Sequence, residues 1–153
     1  KKINQSIEFS SDFIIGYPGE DENDFEATIK LIDEVKFINS FSFIFNSRPG
    51  TVAADLPLID KSRLRERLEI VQQKLFNNQI NMNKKLETTT INVLVENRTN
   101  DKQKLFGRSE YMTSVLFSGS DDLIGKIVKV KIKNSNQNTL FGEAIERSNQ
   151  KVA

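Results

Sequence analysis

Between Asp60 and Leu86 the apolar residues recur every three or four positions, and from Thr90 onward they recur every two. Leu64, Leu68, Val71, Leu75, Met82 and Leu86 mark one stripe of a long helix. Thr90–Glu96, Lys104–Glu110, Met112–Phe117, Lys126–Lys133 and Thr139–Glu146 then read as five short strands. Turn-rich breaks at Asn97–Lys102, Ser118–Asp122 and Asn134–Asn138 separate them. A switch of period from about 3.6 to 2 is a switch of architecture. The second part is therefore expected to be all-β, and five short strands favour a small, closed or nearly closed barrel. Leu105-Phe106-Gly107-Arg108 and Leu140-Phe141-Gly142-Glu143 echo each other within it.

The part before the switch has a different order. Residues 8–15 and 41–45 look like strands, each followed by a helical pattern. A first helix is expected from about Asp21 to Lys36, with Asp21 as N-cap, Asp24 three residues on, and Phe25, Ile29, Ile32 and Val35 on its buried face. Phe41, Phe43 and Phe45 alternate with Ser42 and Ile44, which gives the second strand one very apolar face. Strand–helix–strand–helix order implies a parallel sheet. Two parallel strands do not make a stable sheet by themselves, because both faces need cover and both edges need partners. The first part is expected to be the end of a larger α/β domain, and the initial Lys1 adds to the expectation of a piece of something longer.

The 153 residues contain no Cys, no His and no Trp. Disulfides are excluded, and so are zinc, iron–sulfur and His-base chemistries supplied by this chain alone. No apolar run approaches the roughly 20 residues needed to span a bilayer. A cytoplasmic, membrane-free protein is the expectation. Lys and Arg number 12 against 13 Asp and Glu in residues 1–86, and 10 against 8 in residues 87–153. Placement says more than the balance. Lys129, Lys131 and Lys133 alternate with Val128, Val130 and Ile132, so on a strand the three cations share the outer face. Arg98, Lys102, Lys104 and Arg108 extend that surface. Two readings stay open: a solvated strand face, in which edge Lys discourages aggregation, or a face that tracks a nucleic-acid backbone, with Phe106 or Tyr111 for stacking.

The first strand ends in Gly16-Tyr17-Pro18-Gly19-Glu20, and an acidic helix start follows at once. Glycines before a helix often cradle phosphate. Glu20, Asp21, Glu22 and Asp24 make that poor electrostatics here, and a neutral or cationic ligand part fits better: a ribose, an adenine edge or a sulfonium. A plain strand-to-helix turn explains the same spacing. Arg48 lies just beyond the second strand, at the end where α/β sheets bind ligands, or else in a surface salt bridge.

These residues bear a resemblance. Ser10-Ser11-Asp12-Phe13-Ile14-Ile15-Gly16-Tyr17-Pro18-Gly19-Glu20, with Asp24-Phe25 and Thr28, resembles the late barrel strand of radical-SAM methylthiotransferases. Phe41-Ser42-Phe43-Ile44-Phe45-Asn46-Ser47-Arg48-Pro49-Gly50-Thr51-Val52-Ala53-Ala54 resembles the next strand and loop. Leu105–Arg108, Ile124-Gly125 and Leu140–Glu143 resemble the appended TRAM domain, a small RNA-binding β-barrel. The resemblance implies the last β/α units of a radical-SAM partial barrel over residues 1–83, then a five-stranded, OB-like TRAM barrel over residues 84–148. It implies insertion of a methylthio group at C2 of an isopentenylated adenosine beside the tRNA anticodon, with S-adenosylmethionine (SAM) and two 4Fe–4S clusters. Ile14, Ile15, Gly16, Gly19, Glu20 and Arg48 would meet SAM. Arg98, Lys104, Phe106, Arg108, Lys129, Lys131 and Lys133 would meet the anticodon stem-loop. The partners implied are tRNA, SAM and the upstream catalytic portion of the same enzyme, working as a monomer.

Two departures accompany it. The family's clusters need a Cys-x3-Cys-x2-Cys motif and three further Cys, and this chain has none; no catalytic residue is expected in this segment, which alone should be inactive. Glu87-Thr88 stands where a glycine-containing turn usually opens the TRAM domain. Other readings are a free-standing RNA-binding module without catalysis, or a sister methylthiotransferase acting on a ribosomal protein or on threonylcarbamoyladenosine tRNA.

Overall fold

A computed structural model describes residues 3, 4, 6–100 and 103–145. Lys102, assigned above to the basic surface, and residues 146–148, assigned to the second domain, lie outside the described residues. The chain forms two compact units that divide between Gln79 and Ile80.

In the first unit, β1 (Asp12–Ile15) pairs in parallel with β2 (Phe41–Ile44), Asp12 opposite Phe41 and Ile15 opposite Ile44. The extended segment before β1 does not become ladder. There the Ser11 amide donates to the Ser40 hydroxyl at 3.0 Å and the Phe9 carbonyl accepts from Ile38 at 2.9 Å, so a loop replaces the strand expected from residue 8. Helix α1 (Glu22–Val35) opens on the expected cap: Asp21 accepts from the Asp24 amide at 3.0 Å, and Asp24 accepts from the Asp21 amide at 3.1 Å. Lys36 closes it in the left-handed conformation. Helix α2 (Lys61–Leu86) starts on the Asp60 carboxylate, which takes the amides of Ser62 and Arg63, and ends on Lys84 and Lys85, which suit the dipole there.

Both helices cover the same side of the two strands. Phe13, Ile15, Phe25, Ile32, Val71 and Leu75 form that core. The opposite side carries Ile14, Phe41 and Phe43 at 60%, 64% and 54% exposure. The very apolar face expected of β2 exists, but it is bare: the helices pack on the face of Ser42 and Ile44 instead.

In the second unit β3 (Thr90–Arg98), β4 (Leu105–Ser109), β5 (Ser114–Ser118), β7 (Thr139–Ala144) and β6 (Ile127–Ser135) close into a barrel in that order around its wall. Ile91, Val93, Val95, Leu105, Val115, Phe117, Val130, Ile132 and Leu140 fill it, and Leu86 joins them. Asn83 is fully buried and donates to the carbonyls of Asn136 and Gln137 at 2.8 and 2.9 Å, tying the last turn of α2 to the turn between β6 and β7.

Two strands run longer than their turn-forming residues suggest. Asn97 and Arg98 still pair with Phe106 and Leu105, and Asn134 and Ser135 with Phe141 and Leu140. A bulge precedes each pair, at Glu96 and at Lys133, and absorbs the extra residue without ending the strand. Met112, expected in a strand, lies in the β4–β5 turn at φ 61°, its amide donating to the Ser109 carbonyl at 2.9 Å. No helix among the described residues is long and apolar enough to cross a membrane.

Candidate functional site

The loop after β1 is held by carboxylates from within. Glu20 accepts from the Gly16 amide at 2.8 Å through one oxygen and from Arg67 at 2.7 Å through the other. Arg67, 4% exposed, also donates to the Asp21 carbonyl at 3.2 Å and to Glu22 at 2.9 Å, and its guanidinium lies 4.9 Å from the centre of the Phe25 ring. A buried guanidinium is costly unless acceptors surround it, and three acceptors from one turn meet its two terminal nitrogens, while Nε is left without a partner. Arg67 is not among the site residues expected from the sequence. The available sign was its spacing: it lies on the Leu64–Leu68–Val71 side of α2, where a charge needs a partner.

The electrostatics follow from these bonds. Glu22 is held below the ordinary glutamate value, first by the Arg67 hydrogen bond and then by Arg63. Asp21 is held below the ordinary aspartate value, first by the Asp24 amide. The Asp24 amide at the start of α1 is thus taken by the Asp21 carboxylate, and Glu20, Asp21, Glu22 and Asp24 crowd that end with negative charge that disfavours a phosphate.

The six residues expected at the ligand end of the sheet are placed unequally. Ile14 is exposed, on the bare apolar face with Phe41 and Phe43. Ile15 is buried in the core beneath. Gly16 has φ +78°, so the turn calls for glycine, and a Cβ on it would come within 2.0 Å of Leu64 Cδ2 and displace that side chain. Its amide is committed to Glu20. Gly19, at φ +95°, has open space around it. Arg48 is exposed, and its carbonyl accepts from the Thr51 hydroxyl at 2.8 Å. Tyr17 meets Phe45 edge-on at 5.2 Å.

On the barrel, Lys129, Lys131 and Lys133 stand exposed on β6 while Val130 and Ile132 are fully buried. Lys129 lies opposite Asn92, and Lys131 opposite Thr90 on one side and Glu143 on the other. Lys133 pairs with Glu143 at 3.1 Å. Arg98 is drawn away from this surface: it bonds the Asp121 carboxylate and the Gly119 carbonyl. Arg108 pairs with Glu96 at 3.2 Å and lies 5.7 Å from the centre of the Phe106 ring. Lys104 lies 5.6 Å from the centre of the Phe141 ring. Tyr111, considered above for stacking, packs partly buried against the barrel core. Phe141 was absent from the sequence-based set, although its Leu-Phe-Gly echo of Phe106 marked it.

Comparison with known proteins finds a domain family over the second part and relatives along the whole chain. Residues 84–145 match the TRAM domain family. The whole chain is 63% identical over 153 residues to tRNA-2-methylthio-N(6)-dimethylallyladenosine synthase of Pelagibacter ubique (strain HTCC1062), of which it covers 34%. It is 45% identical over 146 residues, 95% of this chain and 33% of the relative, to the protein of the same name from Vesicomyosocius okutanii subsp. Calyptogena okutanii (strain HA). It is 40% identical over 152 residues, 98% of this chain and 32% of the relative, to that of Histophilus somni (strain 129Pt). The chain spans about a third of the length of these curated relatives.

Proposed function

We propose that the chain is a portion of a tRNA methylthiotransferase, on the strength of its match to the TRAM domain family and its identity along its whole length to tRNA-2-methylthio-N(6)-dimethylallyladenosine synthases. The intact enzyme adds a methylthio group to C2 of isopentenyladenosine next to the anticodon. The observation that carries this reading is 63% identity maintained over all 153 residues, across both the α/β unit and the barrel. Relatives at 63%, 45% and 40% identity share one name, which favours the tRNA adenosine over the sister substrates and over a free-standing module.

In this family the reaction runs on SAM and iron–sulfur clusters. The residues present do not fit a cluster: the sequence has no Cys, and the described residues hold no group of three or more His, Cys, Asp or Glu placed to bind a metal. The cluster ligands therefore come from residues outside this sequence, and this segment alone does not turn over. SAM fits better. Exposed Ile14 offers an apolar surface to an adenosyl group, Gly19 leaves room beside it, and Arg48 stands at the C-terminal end of β2. Glu20 shapes this rim by holding Gly16 rather than by meeting the ligand. We take residues 1–83 as part of the radical-SAM domain, whose remainder would cover the bare face of Ile14, Phe41 and Phe43, and residues 84–148 as the tRNA-gripping domain of a cytoplasmic monomer. Lys104, Arg108, Lys129, Lys131 and Lys133 are among the cations on its outer surface.

Nucleoside analysis of tRNA from a strain lacking the gene tests the reading. The 2-methylthio mark on isopentenyladenosine should vanish and return with the gene; a mark that persists overturns it. In the intact enzyme, Arg48→Ala should slow turnover, and an unchanged rate removes Arg48 from the site.

A further inference from the structure

The barrel carries an aromatic platform in its outer wall. Phe106 lies directly opposite Leu116, and Leu116 directly opposite Phe141, so the three form one row across β4, β5 and β7. Their chain neighbours Leu105, Val115 and Leu140 point inward with no exposure, which places the row on the outside, where it is half-buried. Alternation calls for polar residues there, and this wall has three large apolar ones. A cation stands at each end: Arg108 over Phe106 and Lys104 over Phe141, at 5.7 and 5.6 Å from the ring centres.

Both rings are presented by the same device. Each Phe follows a fully buried Leu and precedes a Gly that lies against a neighbouring strand. At Gly107 a Cβ would meet the Leu94 carbonyl oxygen at 2.4 Å, and at Gly142 the Lys131 carbonyl oxygen at 2.5 Å. Each partner strand bulges beside the motif, and the bulge residue pairs with the residue after the Gly: Glu96 with Arg108, Lys133 with Glu143. Two hairpins of equal register thus lock two rings on either side of β5. The barrel is closed, so no edge is open to an added strand, and recognition must use a face.

We propose that Phe106, Leu116 and Phe141 form a stacking platform for unpaired RNA bases, with Lys104 and Arg108 taking the phosphates beside them. This rests on the tRNA reading above and narrows it: the barrel reads single-stranded loop nucleotides through this wall and does not only track a duplex backbone through β6. Rings flanked by cations suit bases joined by phosphates, since stacking on aromatics and charge neutralisation act together there. A protein partner would be served by the apolar row alone.

The test titrates the full 153-residue chain with a stem-loop RNA and with the same stem closed as continuous duplex. The paired substitution Phe106→Ala and Phe141→Ala should weaken loop binding about tenfold or more, the stacking loss expected for one to two bases, and change duplex binding less than twofold. Phe141→Trp should retain loop binding. Phe106→Leu with Phe141→Leu keeps the packing and removes the rings, and should reproduce the loss if alanine disturbs folding. An equal loss on both RNAs, or no loss, overturns the platform while leaving tRNA binding intact. No binding of either RNA by the unaltered chain at low salt overturns the tRNA-gripping reading and the platform with it.

Discussion

Arg67 and Glu20, 47 residues apart in sequence, meet at 2.7 Å, and the same carboxylate holds the Gly16 amide at 2.8 Å. One buried cation on α2 thereby fixes the conformation of the loop that follows β1. The loop's geometry is a consequence of helix packing and not of its glycines alone.

Breaking that link should cost more than the pair contributes. Arg67→Met leaves Glu20, which is mostly buried, without its partner, and removal of one member of a buried pair costs about 3 kcal/mol. The double variant Glu20→Gln with Arg67→Met should recover part of the loss, because no charge is then stranded. Amide hydrogen exchange at Phe13 and Ile15 reads the first unit alone. Equal protection in the single variant and the unaltered chain would refute the assignment.

Acid should loosen the same region. Glu22 is held below its ordinary value of 4.5 by Arg67 and Arg63, so the folded state binds its proton less readily than the unfolded chain does. Its contribution is therefore present above about pH 4.5 and fades as the pH falls through the lowered folded value. Asp21, lowered from 3.8 by the Asp24 amide, acts with the same sign. Exchange protection in α1 should fall as the pH drops below about 4.5, and Glu22→Gln should flatten part of that fall while weakening protection at neutral pH.

The two Leu-Phe-Gly motifs should respond alike. Ala at Gly107 drives a methyl into the Leu94 carbonyl and Val93, and Ala at Gly142 drives one into the Lys131 carbonyl and Val130. A backbone carbonyl inside a closed ladder cannot yield cheaply, and overpacking of this kind costs about 2–3 kcal/mol. Thermal melts of the two variants should fall by similar amounts. A mild effect at one and a severe effect at the other would break the equivalence of the hairpins.

Much of this was legible in the chain because periodicity reports local environment. The α1 cap at Asp21, the span of α2, the five strands and the outward lysines of β6 all follow from residue spacing. What escaped depends on partners distant in sequence. Arg67 looked like any surface charge on a helix, and its burial is decided by Glu20 and Glu22. Asn97 and Asn134 looked like turn residues, and only the bulges at Glu96 and Lys133 keep them in strand. Phe41 and Phe43 looked like core, but both helices pack on the other face of β2, where Ser42 and Ile44 lie. Tyr111 looked available, and the turn after β4 sends it against the barrel core.

The junction into the barrel holds a local strain that substitution should relieve. Thr88 has φ +65°, a left-handed conformation that a β-branched residue rarely adopts, and its amide donates to the Ile132 carbonyl at 3.0 Å. The conformation is thus imposed by barrel pairing, and glycine would adopt it freely. The side chain is exposed, so little packing is lost. Left-handed strain of about 1–2 kcal/mol, less the unfolded-state entropy that glycine adds, leaves a gain of about 1 kcal/mol for Thr88→Gly. For a unit of this size that raises the melting temperature by roughly 4 °C or more. A circular-dichroism melt decides the matter, and an unchanged or lower midpoint would show that the turn is not strained.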